Sequence, residues 1–127
     1  MKKIVVIAIA ILAALFIFSP KTPVVQPPAS SVSVTLDSGS SIATVSGVAA
    51  QNAFQALSEA AKKKNLELKT KQYDFGVFVE QIGTIANTKE KSWIYFVNGK
   101  SGTVAADKQS LKAGDTVEWK YITPTFE

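Results

Sequence analysis

The run Trp93-Ile94-Tyr95-Phe96-Val97, closed by Asn98-Gly99, limits the fold of this 127-residue chain more than any other stretch. Five bulky apolar residues stand side by side, and aromatic and β-branched side chains suit a pleated, buried surface. A short apolar run that stops at a turn signal reads as a strand covered on both faces. Asn98-Gly99 tolerates positive φ at both positions, as a tight reversal requires. A second aromatic segment, residues 116–122, follows the turn Lys112-Ala113-Gly114-Asp115. There Val117, Trp119 and Tyr121 alternate with Glu118 and Lys120, the pattern of a half-buried strand. Trp119 and Tyr121 are therefore expected to point at a helix. Within residues 93–97, Trp93 and Tyr95 face one way and Ile94 and Phe96 the other. The set on the side away from the helix is expected either to be covered by residues 75–82 or to stand free as a binding surface.

The remaining elements follow from changes of period. Val32, Val34 and Leu36 alternate with Ser33 and Thr35, and residues 42–48 supply a second strand after a Ser/Gly turn. Ala53, Phe54, Leu57, Ala60 and Ala61 then fall on one face of a helix. Asn52 is its N-cap, with Gln55 three residues on. Lys62, Lys63 and Lys64 crowd the last turn, where cations suit the helix dipole, and this explains them better than a lipid or nucleic-acid patch. Asn65 ends the helix in a left-handed conformation. Residues 66–73 form a lysine-bearing edge strand and residues 77–82 another strand. The order β-β-α-β-β-β describes an α+β fold, with one helix packed on a mixed sheet of about five strands.

Before this domain the chain is of another kind. Met1-Lys2-Lys3 leads into an unbroken apolar run from Ile4 to Phe18, and Pro20, Pro23, Pro27 and Pro28 follow within a dozen residues. As a helix the run would span roughly 22 Å against a hydrocarbon core of about 30 Å. A signal cut after Ser19 would have Ile17 at the third position back and Pro20 following, and one after Ala29 would have Pro27 there, far from the apolar run, so both are poor cleavage sites. These features give an N-terminal membrane anchor over residues 1–19, a proline-rich linker over 20–30 and a folded domain over 31–127. The anchor is expected to stay uncleaved, with Lys2 and Lys3 inside and the domain outside the cytoplasm. Secretion after signal cleavage is the alternative.

Composition removes several functions. The chain has no His, no Cys and no Arg. The commonest general base, the commonest metal ligand, thiolate sites and disulfides are absent with them. Beyond Lys2 and Lys3 the chain carries 12 Lys against 10 acids, which is no electrostatic footprint for nucleic acid. Asp74 with Glu80, or Asp107 with Asp115, could be imagined as a carboxylate pair for glycoside chemistry. Nothing else gathers around them, so no enzymatic activity, catalytic residue or metal is expected.

Three stretches, in this order and spacing, resemble the transcobalamin-like C-terminal domain family. They are Asn52-Ala53-Phe54-Gln55-Ala56-Leu57, Tyr73-Asp74-Phe75-Gly76-Val77-Phe78-Val79, and residues 93–99 leading to Leu111-Lys112-Ala113-Gly114-Asp115-Thr116-Val117-Glu118-Trp119. The resemblance runs over residues 32–122. It implies a β-grasp-like module of bacterial surface proteins. In vertebrate cobalamin carriers such a domain closes over the vitamin against a helical barrel. No helical barrel is seen here, and no His could reach cobalt.

The expected function is thus a membrane-tethered, exported module that binds a small ligand without catalysis. Phe75, Phe78, Trp93, Tyr95 and Asn98 are the candidate contacts, and no cofactor is required, with cobalamin or another corrinoid as a conceivable ligand. A surface domain that binds a protein or cell-wall polymer is the alternative. For Trp93, Trp119 and Tyr121 the plain counter-reading is core, and for Asn98-Gly99 an ordinary turn.

Overall fold

The computed structural model describes residues 30–124. The expected anchor and all of the expected linker but Ser30 lie outside them. Among the described residues no helix is long and apolar enough to cross a membrane. In chain order come β1 (Ser30–Asp37), β2 (Ile42–Ala50), α1 (Ala53–Lys63), β3 (Leu68–Tyr73), β4 (Gly76–Ile82), β5 (Ile85–Ala86), β6 (Ser92–Val97), β7 (Lys100–Ser101), a 3-10 turn (Ala106–Lys108) and β8 (Thr116–Ile122).

The fold is α+β, with one helix on a five-stranded mixed sheet in the order β2-β1-β8-β6-β7. Only β1 and β8 run parallel, with Val34 opposite Val117 and Leu36 opposite Trp119. β6 pairs antiparallel with β8, placing Trp93 opposite Tyr121, Tyr95 opposite Trp119 and Val97 opposite Val117. Alternation therefore puts Val32, Val34, Leu36, Val117, Trp119, Trp93 and Tyr95 on one face, and all seven are buried. Ile94, Phe96, Glu118 and Lys120 take the other. There the Lys120 ammonium lies 5.1 Å from the Phe96 ring centre and 3.7 Å from Glu118.

α1 packs on β2 and β1 through Ala53, Ala56, Leu57, Ala60 and Ala61, all buried. Small residues on this stripe bring the helix close to the sheet, and Leu57 is the largest fully buried side chain. Phe54, expected on that face, is only half-buried and packs against the rim of the core. The Asn52 Oδ1 accepts from Gln55 N at 2.7 Å, and the Gln55 Oε1 accepts from Gln51 N at 2.7 Å. Asn65 ends the helix at φ 55°.

β3, β4 and β5 form a separate three-stranded sheet. This corrects the expectation of a single sheet. Val79 and Ile82 of β4 enter the core, and the small sheet covers the β6–β8 half of the buried face, beside the helix. Tyr121 meets this sheet instead of the helix. Its ring centre is 5.3 Å from that of Trp93, and its hydroxyl donates to the Ala86 carbonyl at 2.9 Å. The segment 75–82 thus covers Trp93 and Tyr95 on the helix side, leaving Ile94 and Phe96 on the outer face.

Candidate functional site

A cavity of about 610 Å³ opens where the small sheet, β6 and the loop after β7 converge. Two fastenings hold its walls. Gly76, at φ +133°, begins β4, and a Cβ there would lie 2.5 Å from both Ala105 Cβ and Asp107 Oδ1. Only glycine lets the β3–β4 turn come this close to the 3-10 turn. The Asp107 Oδ1 then accepts from Val77 N at 3.0 Å. At the other wall Gly102 lies against Tyr95, whose ring would collide with any Cβ. The Tyr95 hydroxyl donates to the Val104 carbonyl, so the loop is tied to β6. Burial pushes the Tyr95 pKa above 10.0, and the negative charge of Asp107 adds to this.

Exposure falls from rim to floor. Phe75 and Val104, both on the lining, are 60% and 48% exposed, whereas Trp93 and Trp119 are 4% and 2%. Phe75 stacks on Tyr73 with ring centres 5.1 Å apart and planes within 7°. Phe78 meets Tyr73 edge-on at 6.2 Å. The walls are mostly aliphatic and aromatic, and among the described residues Lys108 is their one ionic side chain. Its ammonium stands 3.8 Å from Asp107 Oδ2. The Trp93 indole donates to the Ile85 carbonyl at 2.9 Å, but the Trp119 Nε1 is buried without a partner among the described residues.

Of the five candidate contacts, the cavity brings together Phe75, Phe78, Trp93 and Tyr95. Asn98 lies outside it. At φ 51° it makes the turn with Gly99, and its side chain clamps the neighbouring turn. Asn98 Nδ2 donates to Asp115 Oδ1 at 2.9 Å, and Asn98 Oδ1 accepts from Thr116 N at 2.9 Å. Asp115 Oδ2 accepts from Lys112 N at 2.8 Å. This bond, then the Asn98 amide, holds the Asp115 carboxyl below its ordinary 3.8. Asp107 and Asp115 both fasten turns, while Asp74 and Glu80 are exposed. Among the described residues no three His, Cys, Asp or Glu side chains gather to hold a metal ion.

Sequence reasoning missed Val104 as a rim residue and Trp119 as part of the cavity floor. Val104 follows the small-residue string Ser101-Gly102-Thr103, a hint that the backbone passes close to something bulky. Trp119 reads correctly as core, and no local signal says that the core is hollow beside it.

Fold and cavity together define an α+β domain with a small-molecule-sized apolar cleft between two sheets. The chain belongs to the family described as "Domain of unknown function (DUF4430)", which matches residues 50–123, more than half of the chain and all of the cavity lining. Among solved structures, a protein from Ruminococcus gnavus ATCC 29149, described as a candidate metal binder, aligns with a TM-score of 0.57 at 17% identity. The alignment covers 76% of this chain and 99% of that one. Haptocorrin in complex with Cbi aligns with a TM-score of 0.64 at 12% identity, over 85% of this chain and 28% of haptocorrin. At these identities the likeness is one of fold. No curated protein sequence matches.

Proposed function

We propose that this chain is a membrane-tethered, exported, non-catalytic module that binds a small ligand in the cavity between the β3–β4 hairpin and β6. The observation that carries the reading is the cavity itself: about 610 Å³, apolar, and rimmed by exposed Phe75 and Val104. Small-molecule sites are typically concave, largely apolar and within this size range. An exposed phenyl ring at a rim adds area for a ligand at little conformational cost. The resemblance to the transcobalamin-like family, and the fold shared with haptocorrin, make a corrinoid the first ligand to try. The chain spans only 28% of the length of haptocorrin.

The test uses the full chain, with cobinamide, cobalamin and a panel of smaller ring compounds followed by tryptophan fluorescence. Trp93 and Trp119 are the only tryptophans, and both line the cavity. A true cavity ligand quenches or shifts their emission. Phe75→Ala should weaken its binding about tenfold, equivalent to about 1.4 kcal/mol, while the melting temperature stays within a degree or two of the parent. A ligand whose affinity ignores Phe75→Ala is not bound in the cavity, and if every ligand behaves so the proposal fails.

A second reading, an interaction surface for a protein or cell-wall polymer, is favoured by the exposed Tyr73–Phe75 stack, which carries the apolar surface from the cavity rim outward to Tyr73, with the Lys71 ammonium 5.2 Å from the Tyr73 ring centre. It expects retention on cell-wall material that no small cavity ligand competes away.

A further inference from the structure

We infer that the cavity takes a peptide-like compound, a trans secondary amide between apolar groups, which donates to the Val77 carbonyl and accepts from the Tyr95 backbone N–H. This rests on the ligand-binding reading above and adds the chemical class. The cavity lies where two strand edges meet without pairing. β4 gives one edge to β3 and β6 gives one edge to β8, and the two strands belong to different sheets. Val77 and Val79 turn their backbone polar groups away from β3: Val77 N donates to Asp107 Oδ1 and the Val79 carbonyl accepts from Asn87 Nδ2. Trp93 and Tyr95 turn theirs away from β8: Trp93 N donates to Asn87 Oδ1 and the Tyr95 carbonyl accepts from Gly102 N at 3.3 Å. In an extended strand the N–H and C=O of one residue point to the same edge. The Val77 carbonyl and the Tyr95 N–H therefore point the same way as their bonded companions, and all four residues line the cavity. The β6–β7 ladder ends at Phe96 and Ser101, and among the described residues no bond from Tyr95 N to the Gly102 carbonyl extends it.

One amide already bridges the two edges. The Asn87 carboxamide reaches from the Val79 carbonyl, at 2.9 Å, to Trp93 N, at 3.0 Å, and so stands in for a peptide unit of a missing strand. The next acceptor along β4 is the Val77 carbonyl, and the next donor along β6 is the Tyr95 N–H. A trans amide carries its N–H and its C=O on opposite sides, so one such group serves both edges at once. Backbone groups sheltered from water are nearly always paired, which favours an occupant that supplies both partners. The apolar walls, Phe78 and Trp93 among them, receive the groups on either side of the amide, with Phe75 at the rim.

The experiment labels the full chain with 15N-tyrosine, in phosphatidylcholine nanodiscs. Three backbone amide signals result, from Tyr73, Tyr95 and Tyr121, and Tyr73→Phe and Tyr121→Phe assign them. The probes are N-benzoylleucine, its ester analogue with oxygen in place of the N–H, and its N-methyl derivative. All three carry the same phenyl ring, leucine side chain and carboxylate, so the Lys108 ammonium treats them alike. N-benzoylleucine is expected to move the Tyr95 amide proton downfield and slow its exchange with water, and to move the Tyr121 signal much less. It should bind at least about tenfold more tightly than either analogue, because each leaves the Val77 carbonyl without a donor.

Two results overturn the inference while leaving the cavity reading intact. One is N-benzoylleucine binding that weakens in Phe75→Ala yet leaves the Tyr95 amide unmoved. The other is equal affinity for the amide and its ester, both weakened by Phe75→Ala, which would show that the cavity holds the apolar groups alone. Probe binding that ignores Phe75→Ala, or no binding at all, overturns both readings.

Discussion

Leu57 and Phe54 sit three residues apart on α1 and should behave differently. Leu57 has no exposed surface and belongs to the hydrophobic core. Leu57→Ala is expected to cost about 2–5 kcal/mol in urea unfolding. Phe54 is half-buried at the rim, and Phe54→Ala should cost well under that, about 1–2 kcal/mol. An equal loss for both would mean that the ring closes the core as fully as Leu57 does. Tyr95 makes a pH-dependent case. Its pKa is raised by folding, so the folded state holds its proton more tightly than the unfolded state. The stability this contributes is present below pH 10 and is lost as pH rises through 10 toward the folded value. Melting temperatures between pH 9 and 11 should therefore fall less steeply in Tyr95→Phe than in the parent. Parallel curves would show that the phenol titrates alike in both states. At this scale the aromatic residues of the cavity were legible, because ring and spacing mark them. The role of Asn98 was not, since its partners Asp115 and Thr116 lie 17 and 18 positions away in sequence.

Among the elements, the seam between the two sheets carries the most consequence per residue. Asn87, just after β5, spans it. Its Nδ2 donates to the Val79 carbonyl of the small sheet at 2.9 Å, and its Oδ1 accepts from Trp93 N of the main sheet at 3.0 Å. Asn87→Ala strips a partner from two partly buried backbone groups and should destabilise by about 1–3 kcal/mol. Hydrogen exchange should show the Trp93 amide losing protection in that variant while the β1–β8 amides hold theirs. Uniform loss across the molecule would mean that the two sheets open together. The strands themselves were legible from their period of two, and the helix from its cap and apolar stripe. That β3 and β4 leave the main sheet was not legible, because alternation tells which face of a strand is buried and not which sheet it joins. Leu68-Lys69-Thr70-Lys71 marks an edge correctly but gives no sign that the edge belongs to a second sheet.

Over the whole molecule, the first and last described strands are neighbours in the middle of the main sheet. Ser33 pairs with Thr116 and Asp37 with Lys120, in parallel. Among the described residues β8 is the strand that joins the β2–β1 pair to the β6–β7 pair within the main sheet. A chain ending at residue 115 should therefore lose its cooperative thermal transition, and circular dichroism through the melt would show it as a gradual slope. A sharp transition in that truncated chain would prove that the helix and small sheet can hold the halves together without β8. The sequence shows that both segments are strands, but parallel pairing across 83 positions leaves no local trace.

This closure by the tail has a consequence for how the protein is made. A polypeptide growing from its N-terminus has β1, β2 and the helix long before it has the strand that sits between β1 and β6. Until β8 has emerged, the halves lack the strand that pairs with both, and contacts so distant in sequence form slowly even afterwards. The main sheet closes only once residues 116–122 have emerged.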